Sequence, residues 1–244
     1  LENPAFDGAK DRIKACRKMV FFTGAGISQE SGLATFRGRD GYWKKYDPMK
    51  MATPEAFFEN PKLVWEWYYE RRRKVLEARP NAGHLAIAGI QNYKEVQVVT
   101  QNVDDLHHVA GSRNIIELHG NIFKVKCTVC SYHVRMDDRF PPPPPSCKKC
   151  GHLLRPDVVW FGEPLPQASL EQAIKHSSDC DVMVIVGSSL QVALANSLPT
   201  YAKENGAYLI EINVEPTALT GMMDLSIRST ASESLPLLLK VPTD

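Results

Sequence analysis

Four short apolar runs, each closed by a glycine or polar turn, limit what this chain can become. They are KMVFFTGAG at 18–26, EVQVVTQN at 95–102, DVMVIVGSS at 181–189 and AYLIEIN at 207–213. Their hydrophobicity is nearly continuous rather than alternating, as in strands covered on both faces, and helix-like stretches lie between them. The pattern predicts an α/β fold built on a parallel sheet. In such sheets functional groups gather beyond the carboxyl ends of the strands. The residues there are Gly24 to Ser28, Gln101 to Asp105, Gly187 to Ser189 and Asn213 to Glu215.

Two segments break the alternation. Residues from about Gly41 to Lys74 carry three of the four tryptophans and an aromatic helix candidate, NPKLVWEWYYERRRKVLEA. Residues from about Lys124 to Leu154 carry four cysteines and the proline run Pro141 to Pro145, a stiff spacer that forms neither helix nor central strand. The expected organisation is a Rossmann-like domain from 1–40, 75–123 and 155–244, with a smaller domain from the insertions 41–74 and 124–154.

The spacing C-x2-C-x16-C-x2-C, at Cys127, Cys130, Cys147 and Cys150, is that of a tetrahedral zinc site in which two turns each present a pair of thiolates. A thioredoxin-like redox motif needs only one such pair. Four thiolates leave no open position for a catalytic water, so one structural zinc ion is expected. The surrounding basic residues lack any recognition-helix pattern, and the formal net charge of +1 provides no global field, so neither feature points to nucleic acid. No apolar run is long enough to span a bilayer. The N-terminus lacks the order of a secretory signal, and paired CxxC motifs suit a reducing compartment. The chain therefore reads as intracellular and cytoplasmic, with a mitochondrion open as the alternative if a leader has been removed. Cys16 and Cys180 are expected as buried thiols.

FFTGAGIS places two glycines after an apolar strand, so the backbone can approach a pyrophosphate. Gln29 stands where a dehydrogenase fingerprint has its third glycine, and no acidic residue closes a second strand at the usual distance, which disfavours a plain dehydrogenase. The motifs that follow are GAGISQESGLATFRGRDGYW, TQNVDDLHHVAG, ELHG, the cysteines, RPDVVWFGE, GSSLQV and INVE. In this order, over nearly its whole length, the sequence resembles the sirtuins, the NAD-dependent protein-lysine deacylases.

The resemblance implies roles for individual residues. Ala25, Ile27, Phe36, Asn102, Val103 and Asp104 match the nicotinamide and ribose pocket. Gly24, Gly26, Arg37, Gln101, Gly187, Ser188, Ser189, Asn213, Glu215 and, near the adenine, Ala231 match the wider NAD cleft. His119 matches the general base. In the implied reaction the acyl oxygen of a modified lysine attacks the ribose as nicotinamide leaves. His119 then helps a ribose hydroxyl attack the resulting imidate, giving free lysine and O-acyl-ADP-ribose. An imidazole suits this step because it titrates near neutral pH. Phe36, on a glycine-flanked loop, could exclude water from the ribose. Taken singly, His119 reads as a structural histidine, and QNVDDLHH as a polar strand end followed by a helix cap; it is the family register that favours function.

VVWFGE and GSSLQV resemble the segments that clamp the substrate peptide as an added strand, with Val159, Phe161 and Gly162 beside the acyl-lysine. Acyl-lysine peptides or proteins are the implied partners. Tyr68 and Arg71, three apart on one helix face, resemble the Tyr-x-x-Arg motif of sirtuins that remove succinyl and malonyl groups. A guanidinium fork with a phenol fits a terminal carboxylate. Spacing alone favours a solvated cluster Arg71 to Arg73 beside a core tyrosine. The sequence departs from the family in lacking Tyr-Pro after GSSLQV, and in carrying Ser229 and Ser232 where glycines are usual. A plain deacetylase, an ADP-ribosyltransferase and a non-catalytic NAD or O-acyl-ADP-ribose sensor remain open. The oligomeric state is open too, a monomer included.

Overall fold

The structure, a computed structural model, describes residues 4–35, 47–136 and 144–240. Its strands are β1 (Lys18–Thr23), β2 (Glu95–Thr100), β3 (Ile115–Glu117), β4 (Gly120–Cys127), β5 (His133–Arg135), β6 (Leu154–Val158), β7 (Val182–Val186), β8 (Tyr208–Ile212) and β9 (Leu225–Ile227). Its helices are α1 (Pro4–Ala15), α2 (Pro48–Met51), α3 (Pro54–Glu59), α4 (Pro61–Glu77), α5 (Ala82–Ile90), α6 (Leu106–Val109), α7 (Gln167–Ser178), α8 (Leu198–Glu204) and α9 (Ala231–Leu238). None of them is long and apolar enough to cross a membrane.

The four apolar runs become β1, β2, β7 and β8 of a six-stranded sheet in the order β3-β2-β1-β7-β8-β9, every neighbouring pair parallel. Their continuous hydrophobicity has the expected cause. Phe21, Val98, Val184 and Ile210 face a core closed by Ile13 of α1, Ile87 of α5 and Leu235 of α9. Phe22, Val99, Ile185 and Leu209 face a second core closed by Ala173 of α7 and Leu198 of α8. The chain runs outward from β1 to β2 and β3, then returns to β7 on the other side of β1. The loops after β1 and β7 therefore part at a topological switch point, where α/β sheets open a crevice.

The smaller unit is an antiparallel sheet, β5-β4-β6. Both insertions feed one core: Phe57, Trp65 and Tyr68 from the first, Val125, Cys127 and Leu154 from the second. The Trp65 indole donates to the Leu154 carbonyl at 2.9 Å. The divisions expected at 124 and 154 fall within the span of this sheet, since β4 starts at Gly120 and β6 runs on to Val158. Helix α4 begins where the Asn60 side chain accepts from Leu63 N–H and Pro61 takes the first turn, and its apolar face turns inward through Val64, Trp65 and Tyr68. Of the proline run, Pro144 and Pro145 are described, and Pro145 lends its carbonyl to Leu154 N–H at 2.8 Å. Cys16 and Cys180 are buried, as expected, and burial pushes both thiols up in pKa.

Candidate active site and metal centre

A cavity of about 890 Å³ lies beyond the carboxyl ends of β1, β2, β7 and β8 and reaches across to α4 and the segment after β6. Its floor is a contact of backbone against backbone. Gly24 N–H donates to the Val186 carbonyl at 2.9 Å and Gly26 N–H to the Gly187 carbonyl at 2.8 Å. A Cβ on Gly26 would sit 2.6 Å from the Gly187 Cα, and one on Gly187 would sit 2.4 Å from the Ile27 nitrogen. Gly187 also has φ +59°, a left-handed conformation that side chains disfavour. Side-chain-free backbone is what close approach of a diphosphate needs.

The expected cofactor residues mostly reach this cavity. Gly24, Ala25 and Gly26 line it side by side with Gly187, Ser188 and Ser189. Asn213, Glu215 and Ala231 close one end, and Gln101, Asn102 and Val103 border the region near His119. Side chains tie the walls together. The Ser188 hydroxyl donates to Gln101 Oε1 at 2.9 Å, and Asn213 Nδ2 donates to the Ser188 carbonyl at 3.0 Å. Ile27 does not face the cavity but is fully buried beneath it. Phe36 and Arg37 lie outside the described residues.

His119 occupies the link between β3 and β4. Its Nδ1 lies 3.0 Å from the Gln101 carbonyl, which can only accept, so Nδ1 carries the proton and Nε2 is left as the basic nitrogen. Its own carbonyl accepts Val159 N–H at 2.9 Å, which fixes the histidine to the segment expected to hold the peptide.

Asn102 and Asp104 converge on Ser28 rather than on the cavity alone. The Ser28 hydroxyl donates to Asp104 Oδ2 at 2.6 Å and accepts from Asn102 Nδ2 at 3.3 Å. Asn102 also donates to the Gly24 carbonyl at 3.0 Å. Asp104 sits below the cavity wall, its pKa raised by burial and moderated by Ser28. Behind it lie His84 and His107, ring centroids 5.0 Å apart. His84 Nδ1 accepts Asn81 N–H in a capping box at the start of α5, and its Nε2 lies 3.5 Å from Ser28 Oγ. His107 Nε2 lies 2.9 Å from Thr23 Oγ1. Burial lowers the pKa of His84 to about 4 and that of His107 well below its ordinary value, so both are neutral. Sequence reasoning gave these two no role. The available signal was a histidine at the third position of an otherwise apolar helix, directly after an asparagine cap.

Tyr68, Arg71, Val159, Phe161 and Gly162 line the same cavity as His119. The Arg71 guanidinium lies over the Trp67 ring at 4.7 Å and near the Tyr68 ring at 5.6 Å. The arginine cluster is not a solvated face. Arg71 and Arg72 are buried, with Arg72 4.7 Å over the Phe123 ring, and Arg73 is exposed beside Glu70. The two serines at 229 and 232 have ordinary backbone geometry, although the Ser232 hydroxyl is buried without a hydrogen-bond partner among the described residues. Neither has a positive φ, so neither position requires glycine. Ser229 donates to Glu233 at 2.6 Å, and Ser232 N–H donates to Glu30 at 3.0 Å.

The four CxxC cysteines converge, every Sγ within 4.8 Å of the others. Cys127 to Cys150 is 3.4 Å and Cys130 to Cys147 is 3.7 Å. Tetrahedral zinc with bonds of about 2.3 Å requires sulfur separations of about 3.8 Å, so the donor set fits one ion with no open position. Backbone amides of the turns point at two of the sulfurs. Val129 and Cys130 N–H donate to Cys127 Sγ, and Lys149 N–H donates to Cys147 Sγ, each at 3.4 Å. The Cys130 amide is the main reason the Cys127 pKa falls to about 6. A second grouping, Asp105, His108 and Glu117, is already bridged by Arg135, Lys124 and Asn121, and is an ion-pair cluster.

Comparison with known proteins bears on this geometry. A profile described as the Sir2 family matches residues 24–194. An "NAD-dependent protein deacylase" of Pyrococcus furiosus is 51 % identical over 241 residues, covering 96 % of each chain. The crystal structure of a Sir2 homolog in complex with NAD superposes with a TM-score of 0.90 at 44 % identity, covering 96 % of this chain and 92 % of that one. A Sir2 mutant bound to deacetylated p53 peptide and 3′-O-acetyl ADP ribose superposes with a TM-score of 0.84 at 33 % identity, covering 94 % and 95 %.

Proposed function

The chain belongs to the Sir2 family and is an NAD-dependent protein deacylase, and we propose that succinyl- and malonyl-lysine are the groups it removes best. The observation that carries this preference is that Tyr68 and a buried Arg71 line the cavity that His119 and Phe161 also line. A carboxylate entering there must leave water and can do so only by gaining a charged partner. Arg71 provides a planar two-pronged donor, and Tyr68 one hydroxyl. Burial raises the Tyr68 pKa, so the phenol keeps its proton.

NAD, when bound, supplies an electrophilic ribose carbon from which nicotinamide departs as the acyl oxygen attacks. The other tasks fall to this chain. The glycine seat at Gly24, Gly26 and Gly187 receives the diphosphate, with Gln101, Ser188, Ser189, Asn213, Glu215 and Ala231 around it. Ala25, Asn102 and Val103 border the reacting end, held from below by Ser28 and Asp104. His119, its Nδ1–H engaged by Gln101, takes a ribose hydroxyl proton at Nε2. Ile27 packs beneath this floor, while Phe36 and Arg37 keep the roles implied by resemblance. Val159, Phe161 and Gly162 hold the peptide. The N–H groups of Val159, Trp160 and Phe161 are taken by His119, Glu163 and Ala52, so this stretch meets a peptide through its carbonyl oxygens. Cys127, Cys130, Cys147 and Cys150 hold one zinc ion that is structural.

One peptide carrying acetyl-, malonyl-, succinyl- or long fatty acyl-lysine, assayed with NAD, tests the proposal. Higher kcat/KM for succinyl or malonyl than for acetyl is expected, and the reverse order would reduce the reading to a plain deacetylase.

A further inference from the structure

Tyr68 is held by a residue 92 positions away. The Trp160 indole N–H donates to the Tyr68 oxygen at 2.9 Å, and both side chains are about 2 % exposed. Among the described residues no acceptor takes the Tyr68 hydroxyl hydrogen, although Tyr68 lines the cavity. The phenol thus receives one hydrogen bond and has its own still to give.

That bond has a directional consequence. A phenol hydrogen prefers the ring plane and has two positions, one on each side of the oxygen. The incoming indole hydrogen excludes the side it occupies, so the hydroxyl must point to the other.

The indole is itself clamped. The Arg155 guanidinium stacks 3.4 Å from the centre of the Trp160 ring, and Phe57 lies 5.3 Å away on a tilted plane. Arg155 is held by Glu163 at 2.9 Å and by the Val158 carbonyl at 2.9 Å. Glu163 also accepts Trp160 N–H at 2.9 Å, which closes a turn over residues 160–163. The main chain of this turn is the segment proposed to hold the peptide.

We propose that Trp160 is a specificity-determining positioning residue, which orients the Tyr68 hydroxyl so that it donates to the distal carboxylate of a succinyl or malonyl group. The inference rests on the carboxylate reading of Tyr68 and Arg71. It adds that acyl selectivity is wired to the peptide-binding turn through one indole N–H. Acetyl-lysine has no carboxylate to receive this donor, so the selectivity ratio, rather than the rate alone, is the quantity that changes.

The test measures kcat/KM for succinyl- and acetyl-lysine on the same peptide, in the zinc-replete full chain, for the parent, Trp160→Phe, Tyr68→Phe, their double variant and Arg71→Met. A neutral hydrogen bond predicts a fall in the succinyl-to-acetyl ratio of about three- to ten-fold in Trp160→Phe, entering through KM for the succinyl substrate. The double variant should be no lower in ratio than Tyr68→Phe alone. If Trp160→Phe does not fold, replacement of Trp160 by 3-benzothienylalanine keeps the ring shape, removes the N–H and takes its place. If Arg71→Met and Tyr68→Phe lower the ratio but loss of the indole N–H does not, the inference is overturned and the carboxylate reading stands. It is equally overturned if losing the N–H lowers the ratio as much in the Tyr68→Phe background as in the parent. If Arg71→Met leaves the ratio unchanged, the carboxylate reading fails, and the role of Trp160 fails with it.

Discussion

Arg135 Nη2 lies 2.7 Å from Asp105 Oδ2, so a strand of the cysteine-bearing sheet grips the loop that follows Asn102, Val103 and Asp104. Asp105 is buried at φ +67°, an uncommon conformation for a residue with a side chain, and Asn121 of β4 donates to its other oxygen at 2.7 Å. Arg135→Met leaves that carboxylate with less compensation. The half-exposed arginine points to a loss of about 1 to 3 kcal/mol. A lower Tm together with a raised KM for NAD is expected. A lower Tm with KM unchanged would mean that the clasp serves stability alone.

The metal prediction follows from the same sheet. Elemental analysis should find one zinc per chain, and Cys147→Ser should lower soluble yield and Tm, because a closed thiolate site contributes directly to folding. Active protein containing no zinc would contradict it.

His119→Ala should reduce turnover about 100- to 10,000-fold while leaving circular dichroism and Tm close to the parent. Near-normal turnover in a folded, metal-replete variant would place the base elsewhere.

Arg71→Met should cut kcat/KM for succinyl-lysine by about 10- to 150-fold, the range of a charge-assisted bond, and affect acetyl-lysine far less. Equal losses on both substrates would make Arg71 a structural residue. Because burial raises the Tyr68 pKa, the parent's succinyl-to-acetyl ratio should stay flat from neutral pH to about pH 9.5.

Stability should fall with acid through the two buried histidines. Burial holds His84 at about 4 when folded, against 6.5 when unfolded. Below pH 6.5 the unfolded chain therefore binds a proton that the folded chain refuses, and stability is lost as pH falls towards 4. The His84 gap is on the order of 3 kcal/mol, and His107 extends the effect to lower pH. Asp104, whose burial raises its pKa, works the other way at the acid end. Calorimetric Tm between pH 7.5 and 4.5 should drop less steeply in His84→Gln. An identical slope would remove His84 as the cause.

The strands that could be read from sequence are those buried on both faces, because β1, β2, β7 and β8 need no partner information to look apolar. Edge strands β3 and β9 are three residues each, too short to carry a period. The cysteine site was legible because its ligands come as local pairs. The His84–Ser28–Asp104 network was not, since its members are far apart in sequence and only the fold reveals that they are buried together. The same holds for Arg72, whose place over Phe123 depends on a strand fifty residues further on. Ile27 shows the converse, a motif position that folding turns into the core.

The touching backbones of Gly26 and Gly187 make the two ends of this cavity unequal in evolution. At the end proposed for the cofactor, Gly24, Gly26 and Gly187 cannot be exchanged, since a β-carbon on any of them would force apart loops that also anchor β1 to β7. The end proposed for the acyl group is built of replaceable parts, with Tyr68 and Arg71 on one helix and Trp160 on one turn. Lineages sharing this scaffold can therefore diversify in the modification they erase while inheriting an unaltered grip on the dinucleotide. On the proposed reading, substitutions that retune the acyl group will accumulate on α4 and residues 159–163, and Gly24, Gly26 and Gly187 will remain invariant.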